Sequence, residues 1–227
     1  MTEKKTIFFD AAGTLFYISQ GVGYHYSRIA AKHDVQVDPL RIDKRFHDEY
    51  AKSSHTVSEH AEKQWWYDLV GSVFEGIHFP RFDSFFEEVY SFFQQGDGKE
   101  ERAWTLFPET MEVLEHLSAL QHPIGLISNF DSRIEFILKD LNIFHYFKTI
   151  TYSTEVGFAK PSVEIFQHAL KKADCHPKDA VHIGDHLIFD VEGAQNAGIR
   201  AFLIDRDRKK QTGQNVIHDL REIYGNL

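Results

Sequence analysis

The sequence predicts an α/β fold: a Rossmann-like parallel sheet with helices on both faces, interrupted by an inserted all-α cap. Two observations support this prediction. Short apolar runs typical of buried strands alternate with amphipathic helical patterns through residues 100–227. Between the first strand and Trp104, by contrast, the patterns are helical only. The predicted domains are therefore a core of residues 1–16 and 100–227 and a helical cap of residues 17–99.

Five apolar runs are expected to form the parallel sheet, because such runs are typical of strands buried on both faces. They are residues 7–9, 124–128, 149–153, 180–184 and 200–204. Helical patterns over residues 109–120, 132–141 and 162–173 separate these runs from one another. Each helix carries apolar residues at helical spacing, which predicts layers of helices packed on the sheet.

The inserted segment shows start signals and apolar faces of several helices. Asp38 and Pro39 begin one helix, and Thr56 with Glu59 forms a capping box before another. Residues 80–95 carry phenylalanines at helical spacing, and a glycine-rich linker follows at Gly96, Asp97 and Gly98. We interpret the aromatic stripe as the packed face of a helix bundle rather than a ligand pocket.

Composition and charge exclude several classes of protein. The chain has 25 basic and 34 acidic residues, a net charge of −9, which argues against a nucleic-acid binder that relies on bulk electrostatics. A single cysteine, Cys175, excludes an intramolecular disulfide and favours a reducing compartment. Neither a signal-peptide pattern nor an apolar run of membrane-spanning length is present. We therefore expect a cytoplasmic protein with no nucleic-acid or membrane partner; the oligomeric state stays open.

Polar groups follow the predicted strands, where open α/β sheets bind ligands. In chain order they are Asp10 with Thr14, Ser128 with Asn129, Lys160 before Pro161, and Asp185 with Asp190. A carboxylate at a strand end can act as a nucleophile or a metal ligand, and a lysine before a helix start favours an anion. Two carboxylates can hold Mg²⁺ beside a phosphate. Each group taken singly is also an ordinary turn or cap residue.

Taken together, the order and placement of these groups resemble the haloacid dehalogenase (HAD) superfamily of hydrolases. The resemblance extends over essentially the whole chain, including residues 157–162 (GFAKPS) and 184–198 (GDHLIFDVEGAQNAG). The helical insertion after the first motif matches the members with an α-helical cap. Residues 64–68 (QWWYD) and 128–131 (SNFD) are similar to the rhythmically-expressed-gene-2-like branch, which includes HAD-like hydrolase domain-containing proteins.

The resemblance implies a Mg²⁺-dependent phosphatase for a small phosphorylated metabolite. Asp10 is expected to attack phosphorus and form an aspartyl-phosphate, with Lys160 offsetting the charge of the phosphate and of Asp10. The metal site is expected to comprise Asp10, the backbone carbonyl of Ala12, Asp185 and Asp190, the last supporting metal-bound waters or Lys160. The expected phosphate-binding residues are Thr14, Ser128, Asn129 and Lys160.

One position departs from the pattern of the phosphatases in this superfamily. Most of them have an aspartate two residues after the nucleophile, acting as general acid and base, and this chain has Ala12 there. General acid–base catalysis typically contributes about 10² to 10⁴ in rate. We therefore expect either substrates whose leaving groups need little protonation, such as acyl or aryl phosphates, or a replacement residue such as His25.

The alanine keeps three other interpretations open. Enzymes of the superfamily that cleave carbon–halogen bonds have tyrosine at this position and no metal, whereas Asp185 is present here. Phosphonoacetaldehyde hydrolases have alanine there and a Schiff-base lysine in the cap. The cap lysines of this chain, which are Lys32, Lys44, Lys52 and Lys63, match no such motif. The third interpretation is a catalytically weak protein that only binds a phosphorylated ligand.

Overall fold

The computed structural model describes residues 4–53, 58, 61–95, 102–208 and 215–226. The chain divides into a larger unit, Met1–Tyr17 with Leu106–Leu227, and a smaller unit, Ile18–Thr105. These divisions lie close to the predicted boundaries after residue 16 and before residue 100. We propose that the smaller unit is the cap; its role in catalysis is a prediction.

A six-stranded parallel sheet organises the larger unit, in the order β5-β4-β1-β6-β7-β8. The strands of the chain are β1 (Thr6–Phe9), β2 (Phe16–Ile18), β3 (Trp104–Leu106), β4 (Ile124–Ser128), β5 (Thr149–Tyr152), β6 (Ala180–Gly184), β7 (Arg200–Ile204) and β8 (Val216–Ile217). Strands β2 and β3 form a separate two-stranded sheet. The predicted α/β fold with a parallel sheet is confirmed.

Helices alternate with the strands of the larger unit and make up most of the smaller one. They are α1 (Val22–Lys32), α2 (Pro39–Lys52), α3 (Glu62–Val73), α4 (Phe82–Gln95), α5 (Thr110–Ala119), α6 (Ile134–Asp140), α7 (Ser153–Val156), α8 (Val163–Ala173) and α9 (Gly193–Asn196). A π-helical turn, Leu187–Glu192, precedes α9. Among the described residues, none of the helices combines the length and apolarity that crossing a membrane requires.

The sheet is buried because its strands are apolar on both faces. Ile7, Phe8 and Phe9 of β1 are all 0% exposed, as expected for a central strand of a parallel sheet with both faces covered. On one face, Phe8 packs in a cluster with Phe166 of α8 and Ala194 of α9. The carboxyl end of the central strand is therefore held by a well-packed core.

In the smaller unit, the aromatic stripe packs inward, as predicted. Phe85, Phe86, Phe92 and Phe93 of α4 are at most 8% exposed and share one apolar cluster with Tyr26 of α1. Asp38 caps α2 by accepting a hydrogen bond from the Leu40 amide at 3.1 Å. The other two predicted features of this segment, the capping box at residues 56–59 and the linker at 96–98, lie outside the described residues.

Six of the α-helices and strands were not predicted from the sequence: α1, α7, α9, β2, β3 and β8. Helix α1 begins after Gly21, which has a φ of 80° and provides no side-chain cap, so the usual start signal is missing. Strands β2, β3 and β8 are two or three residues long. Periodicity cannot identify such short strands, because it needs several residues to show.

Candidate active site

Asp10 lies at the point where the strand order of the sheet reverses. It follows β1, whose neighbours are β4, ending at Ser128, and β6, followed by Asp185. Since parallel strands end at the same edge, the three residues meet at the carboxyl edge of the sheet. The Ser128 hydroxyl donates a hydrogen bond of 3.0 Å to Asp10 Oδ1.

Lys160 enters the same site from the loop between α7 and α8. Its Nζ lies 2.6 Å from Asp10 Oδ1 and 2.5 Å from Asp190 Oδ1, and its side chain is 3% exposed. A buried ammonium of this kind is tolerated only when charges of opposite sign compensate for the loss of water. Lys160 therefore joins two aspartates that lie 180 residues apart in the sequence.

Asp190 is held by donors from several directions. Besides Lys160, its Oδ1 lies 3.1 Å from Nε2 of His182, and its Oδ2 accepts a 3.0 Å hydrogen bond from the His186 amide. A Cβ atom on Gly184 would lie 2.1 Å from Asp190 Cγ, so only glycine fits there. Of the two roles expected for Asp190, these contacts favour support of Lys160.

Asn129 contacts Lys160, and Thr14 contacts Asp10. The Asn129 side chain donates to the Lys160 carbonyl at 2.9 Å and accepts from the Lys160 amide at 2.6 Å. It therefore orients the lysine, while contact of Asn129 with phosphate stays a prediction. The Thr14 hydroxyl is 3.5 Å from Asp10 Oδ2, a weak contact. Ala12 lies in the turn after Asp10 and is partly exposed.

The charges of the site shift the pKa values of its carboxyl groups in different directions. Burial raises the pKa of Asp10; Lys160 opposes this shift and Asp190 adds to it. Burial and the charges of Asp10 and Asp190 raise the pKa of Asp185 to about 7. Burial also acts to raise the pKa of Asp190, but Lys160 and His182 outweigh this effect, so the pKa of Asp190 is lowered. The pKa of Lys160 is raised, since the two aspartates outweigh the effect of burial.

Three carboxylates thus share one ammonium group. Asp10, Asp185 and Asp190 each present an oxygen within 4.8 Å of the others. The turn at Gly13 approaches this cluster closely, because a Cβ atom there would lie 2.4 Å from Asp185 Oδ2. Burial and the excess of negative charge together raise the pKa of Asp185, and a divalent cation with oxygen ligands would balance that charge.

His182 is a site residue that sequence reasoning missed. It is 0% exposed in the middle of β6, and its Nε2 must carry the proton because a carboxylate only accepts hydrogen bonds. The available signal was a titratable side chain inside an otherwise apolar buried strand. Such a residue needs a polar partner, and here the partner is Asp190.

The cap residues considered as alternatives are placed within the smaller unit. The His25 ring is 2% exposed, packs against Phe92 and Phe93, and has Nε2 2.8 Å from the Ser19 carbonyl. These contacts give it a structural role in the helix bundle. Among the cap lysines, Lys52 has a pKa raised by its hydrogen bond to Glu49. A Schiff-base lysine requires the opposite shift.

We expect Lys160→Met to lower the free energy of unfolding by about 3 to 5 kcal/mol at neutral pH, since it leaves two buried carboxylates without their cation. Urea titration measures the loss. Lys172→Met is the matched control: this lysine is 36% exposed and pairs with Glu155 at 2.6 Å, and removing an exposed pair costs less than about 1 kcal/mol. Equal losses in the two variants would contradict the buried triad.

Comparisons with known proteins identify the family of this chain. A family model for haloacid dehalogenase-like hydrolases matches residues 4–198. Haloacid dehalogenase-like hydrolase domain-containing protein 3 of Danio rerio is 29% identical over 97% of this chain and 95% of its own length. Glyceraldehyde 3-phosphate phosphatase of Methanothermobacter thermautotrophicus is 34% identical over 52% of this chain and 58% of its own.

A solved structure agrees at the level of the fold. The crystal structure of a HAD phosphatase from Thermococcus onnurineus superposes with a TM-score of 0.70 at 20% identity, covering 98% of this chain and 97% of that one. Since the family model spans most of the sequence, the chain belongs to the haloacid dehalogenase-like hydrolases.

Proposed function

We propose that this hydrolase is a Mg²⁺-dependent phosphatase that acts on a small phosphorylated metabolite through an aspartyl-phosphate at Asp10. The main support is the asymmetry of the Asp10 carboxylate. Its Oδ1 accepts hydrogen bonds from Ser128 at 3.0 Å and Lys160 at 2.6 Å. Among the side chains of the described residues, its Oδ2 has one long contact, 3.5 Å from the Thr14 hydroxyl, and the Ala11 backbone also hydrogen-bonds the carboxylate. Oδ2 is therefore the oxygen proposed to attack.

The reaction proceeds in two displacements. Oδ2 of Asp10 attacks phosphorus, the bond from phosphorus to the leaving-group oxygen breaks, and the phosphoryl group is carried on Asp10. Water then attacks the aspartyl-phosphate, releasing inorganic phosphate and restoring the carboxylate. Lys160 lowers the repulsion between the carboxylate and the incoming dianion, and Ser128 orients the carboxylate.

The residues of the site fit Mg²⁺. They provide carboxylate oxygens, which Mg²⁺ prefers, and they carry an excess of negative charge. Asp10, Asp185 and the Ala12 carbonyl are proposed to hold the ion, with Asp190 holding Lys160. When bound, Mg²⁺ supplies positive charge that stabilises the phosphoryl oxygens in the transition state. The relative named as a phosphatase adds support for a phosphorylated substrate.

Mg²⁺ binding is expected to depend on pH through Asp185. Its pKa of about 7 lies above the unfolded value, so the contribution of Asp185 to the stability of the metal-free protein falls as pH rises from about 4 to about 7. Excess Mg²⁺ should therefore raise the melting temperature more at about pH 8 than at about pH 5.5. Differential scanning fluorimetry measures both shifts.

Asp185→Asn tests the same site from the protein side. The variant should lose the Mg²⁺-dependent shift and, without metal, melt at a higher temperature than wild type at about pH 8, because one repelling charge is gone. Asp179→Asn, at the opposite edge of the sheet, should retain the shift. A shift that persists in Asp185→Asn argues against this metal site.

The proposed activity is tested by phosphate release from an aryl and an acyl phosphate, with Mg²⁺ and with EDTA. Turnover that requires Mg²⁺ supports the phosphatase. Release of halide from a 2-haloacid or of phosphate from a phosphonate, without turnover of either phosphate substrate, would replace it. Binding of Mg²⁺ and phosphate without any turnover would identify a binding protein. A cytoplasmic location and the lack of nucleic-acid and membrane partners stay predictions.

A further inference from the structure

Arg206, two residues beyond β7, contacts the turn that follows Asp10. Its Nη2 donates a 2.6 Å hydrogen bond to the backbone carbonyl of Thr14, and its Nη1 lies 2.5 Å from Oε1 of Glu109. The guanidinium carbon lies 3.5 Å from the centre of the Phe107 ring. The side chains of Arg206 and Glu109 are 19% and 3% exposed, so this contact is largely shielded from water.

The Thr14 carbonyl belongs to the turn that follows Asp10 and that places the Thr14 hydroxyl beside Asp10 Oδ2. The amides of Thr14 and Leu15 donate to the Ala11 carbonyl at 3.3 and 2.8 Å, which closes the turn. On its other side, the hydroxyl of Thr14 faces Asp10 Oδ2. By binding the Thr14 carbonyl, Arg206 therefore holds the residue whose hydroxyl faces Asp10 Oδ2, the oxygen proposed to attack.

Small movements of this turn matter because it is packed tightly against the acidic cluster. Gly13 has a φ of 90°, and a Cβ atom there would lie 2.4 Å from Asp185 Oδ2. A displacement of the turn changes the position of Asp10 relative to Asp185. Misplacing reacting groups by about 1 Å can cost on the order of 10²-fold in rate.

The next carbonyl of the turn is held in a similar way. Thr110, which is 0% exposed, donates its hydroxyl to the Leu15 carbonyl at 2.7 Å, and the Phe107 amide donates to it at 3.1 Å. Arginine suits the Thr14 carbonyl because its planar fork can bind a carbonyl and a carboxylate while stacking on an aromatic ring. Lysine keeps the charge but loses the fork and the stacking.

We propose that Arg206 is a positioning residue for phosphoryl transfer, which fixes the Asp10–Leu15 turn by clamping the Thr14 carbonyl. Glu109 fixes the guanidinium in turn. This inference rests on the proposed phosphatase function. A purely structural alternative is that Arg206 only neutralises the buried Glu109 carboxylate.

Two variants separate these roles. Arg206→Lys retains the charge beside Glu109, and the double variant Arg206→Met with Glu109→Gln removes both charges together. We expect both to lower kcat on an aryl phosphate by on the order of 10-fold or more, with KM and the inhibition constant of inorganic phosphate changed less than about threefold. Arg221→Lys is the control, because Arg221 also forks onto a carboxylate, that of Asp219, but is 50% exposed.

A kcat equal to wild type in the double variant would overturn the proposal. It would show that Arg206 only neutralises the Glu109 carboxylate and is not required once that charge is removed. A wild-type kcat in Arg206→Lys would overturn it too. Urea titration verifies that each variant is folded. If Arg206→Lys does not fold, the double variant still tests the proposal, because it leaves no buried charge without a partner.

Hydrogen exchange provides a readout that does not depend on the phosphatase assay. The amides of Thr14 and Leu15 should exchange faster in both Arg206 variants than in wild type or Arg221→Lys, while those of β4 are unchanged. Unchanged exchange of the turn would overturn the inference even if the protein hydrolyses another class of bond. Failure of the proposed function itself would appear differently, as absence of phosphate release by the wild type.

Discussion

Asp10→Asn should lower Mg²⁺-dependent phosphate release at least about 10³-fold, because an amide cannot serve as the nucleophile. The change is nearly isosteric. It keeps an acceptor oxygen for the Ser128 hydroxyl, which donates to Oδ1 of Asp10 in the wild type. Lys160 keeps Asp190 as its partner at 2.5 Å, so the variant should fold. Initial rates with an aryl phosphate measure the effect.

A matched substitution at the other edge of the sheet separates chemistry from folding. Asp179 lies directly before β6 and pairs with Lys5 at 3.4 Å. Asp179→Asn should therefore retain wild-type kcat, while both variants melt cooperatively. If Asp10→Asn retains the rate of a purified preparation, the aspartyl-phosphate pathway is wrong and the turnover has another source.

The second large effect is expected from Ala12→Asp. A carboxyl group at this position can protonate a poor leaving group, and such catalysis contributes about 10² to 10⁴ in rate. We expect kcat/KM for alkyl phosphates to rise on the order of 10²-fold, with little gain for acyl or aryl phosphates. In the wild type, the logarithm of kcat/KM should fall steeply as the leaving-group pKa rises, and the variant should flatten that dependence.

Ala12→Asn is the control for this gain, since it adds nearly the same volume without an acidic proton. It should leave the steep dependence on leaving-group pKa in place. A wild-type enzyme whose rate does not depend on the leaving group would contradict the prediction, because it would reveal a general acid outside the residues that contact Asp10. The buried ring of His25, packed against Phe92 and Phe93, makes that residue a poor candidate.

Taken together, these two variants test which class of substrate the chain uses. A chain that attacks phosphorus but lacks a proton donor at residue 12 is suited to leaving groups that are stable as anions, such as carboxylates and phenolates. Acyl and aryl phosphates fit this requirement, whereas phosphate esters of simple alcohols do not.

The main features of the fold were readable from the sequence because local patterns carry them. The predicted strand at residues 124–128 coincides with β4, and those at 180–184 and 200–204 coincide with β6 and β7. Each is a continuous apolar run, and burial on both faces makes such a run unambiguous. Elements without a clear sequence signal were missed. Helix α1 is an example, because it begins after Gly21, which has no side chain to cap it.

The site was predictable to the extent that its residues follow strands. Asp10, Ser128 and Asp185 stand directly at strand ends, and parallel strands must end at one edge of the sheet. The sequence therefore determined which edge carries the chemistry and which residue types stand there. The absence of a carboxyl group at residue 12 also follows from the sequence, because it depends only on which amino acid occupies that position.

Only the tertiary structure decided how those residues pair. The loop between α7 and α8 brings Lys160 between Asp10 and Asp190, 2.6 and 2.5 Å away. In the same loop, the Lys160 backbone pairs with the Asn129 side chain. Such contacts join residues far apart in the chain, and no local pattern encodes them. His182 and Arg206 escaped sequence reasoning for this reason, because a buried polar residue shows its role only through the partner that packing brings to it.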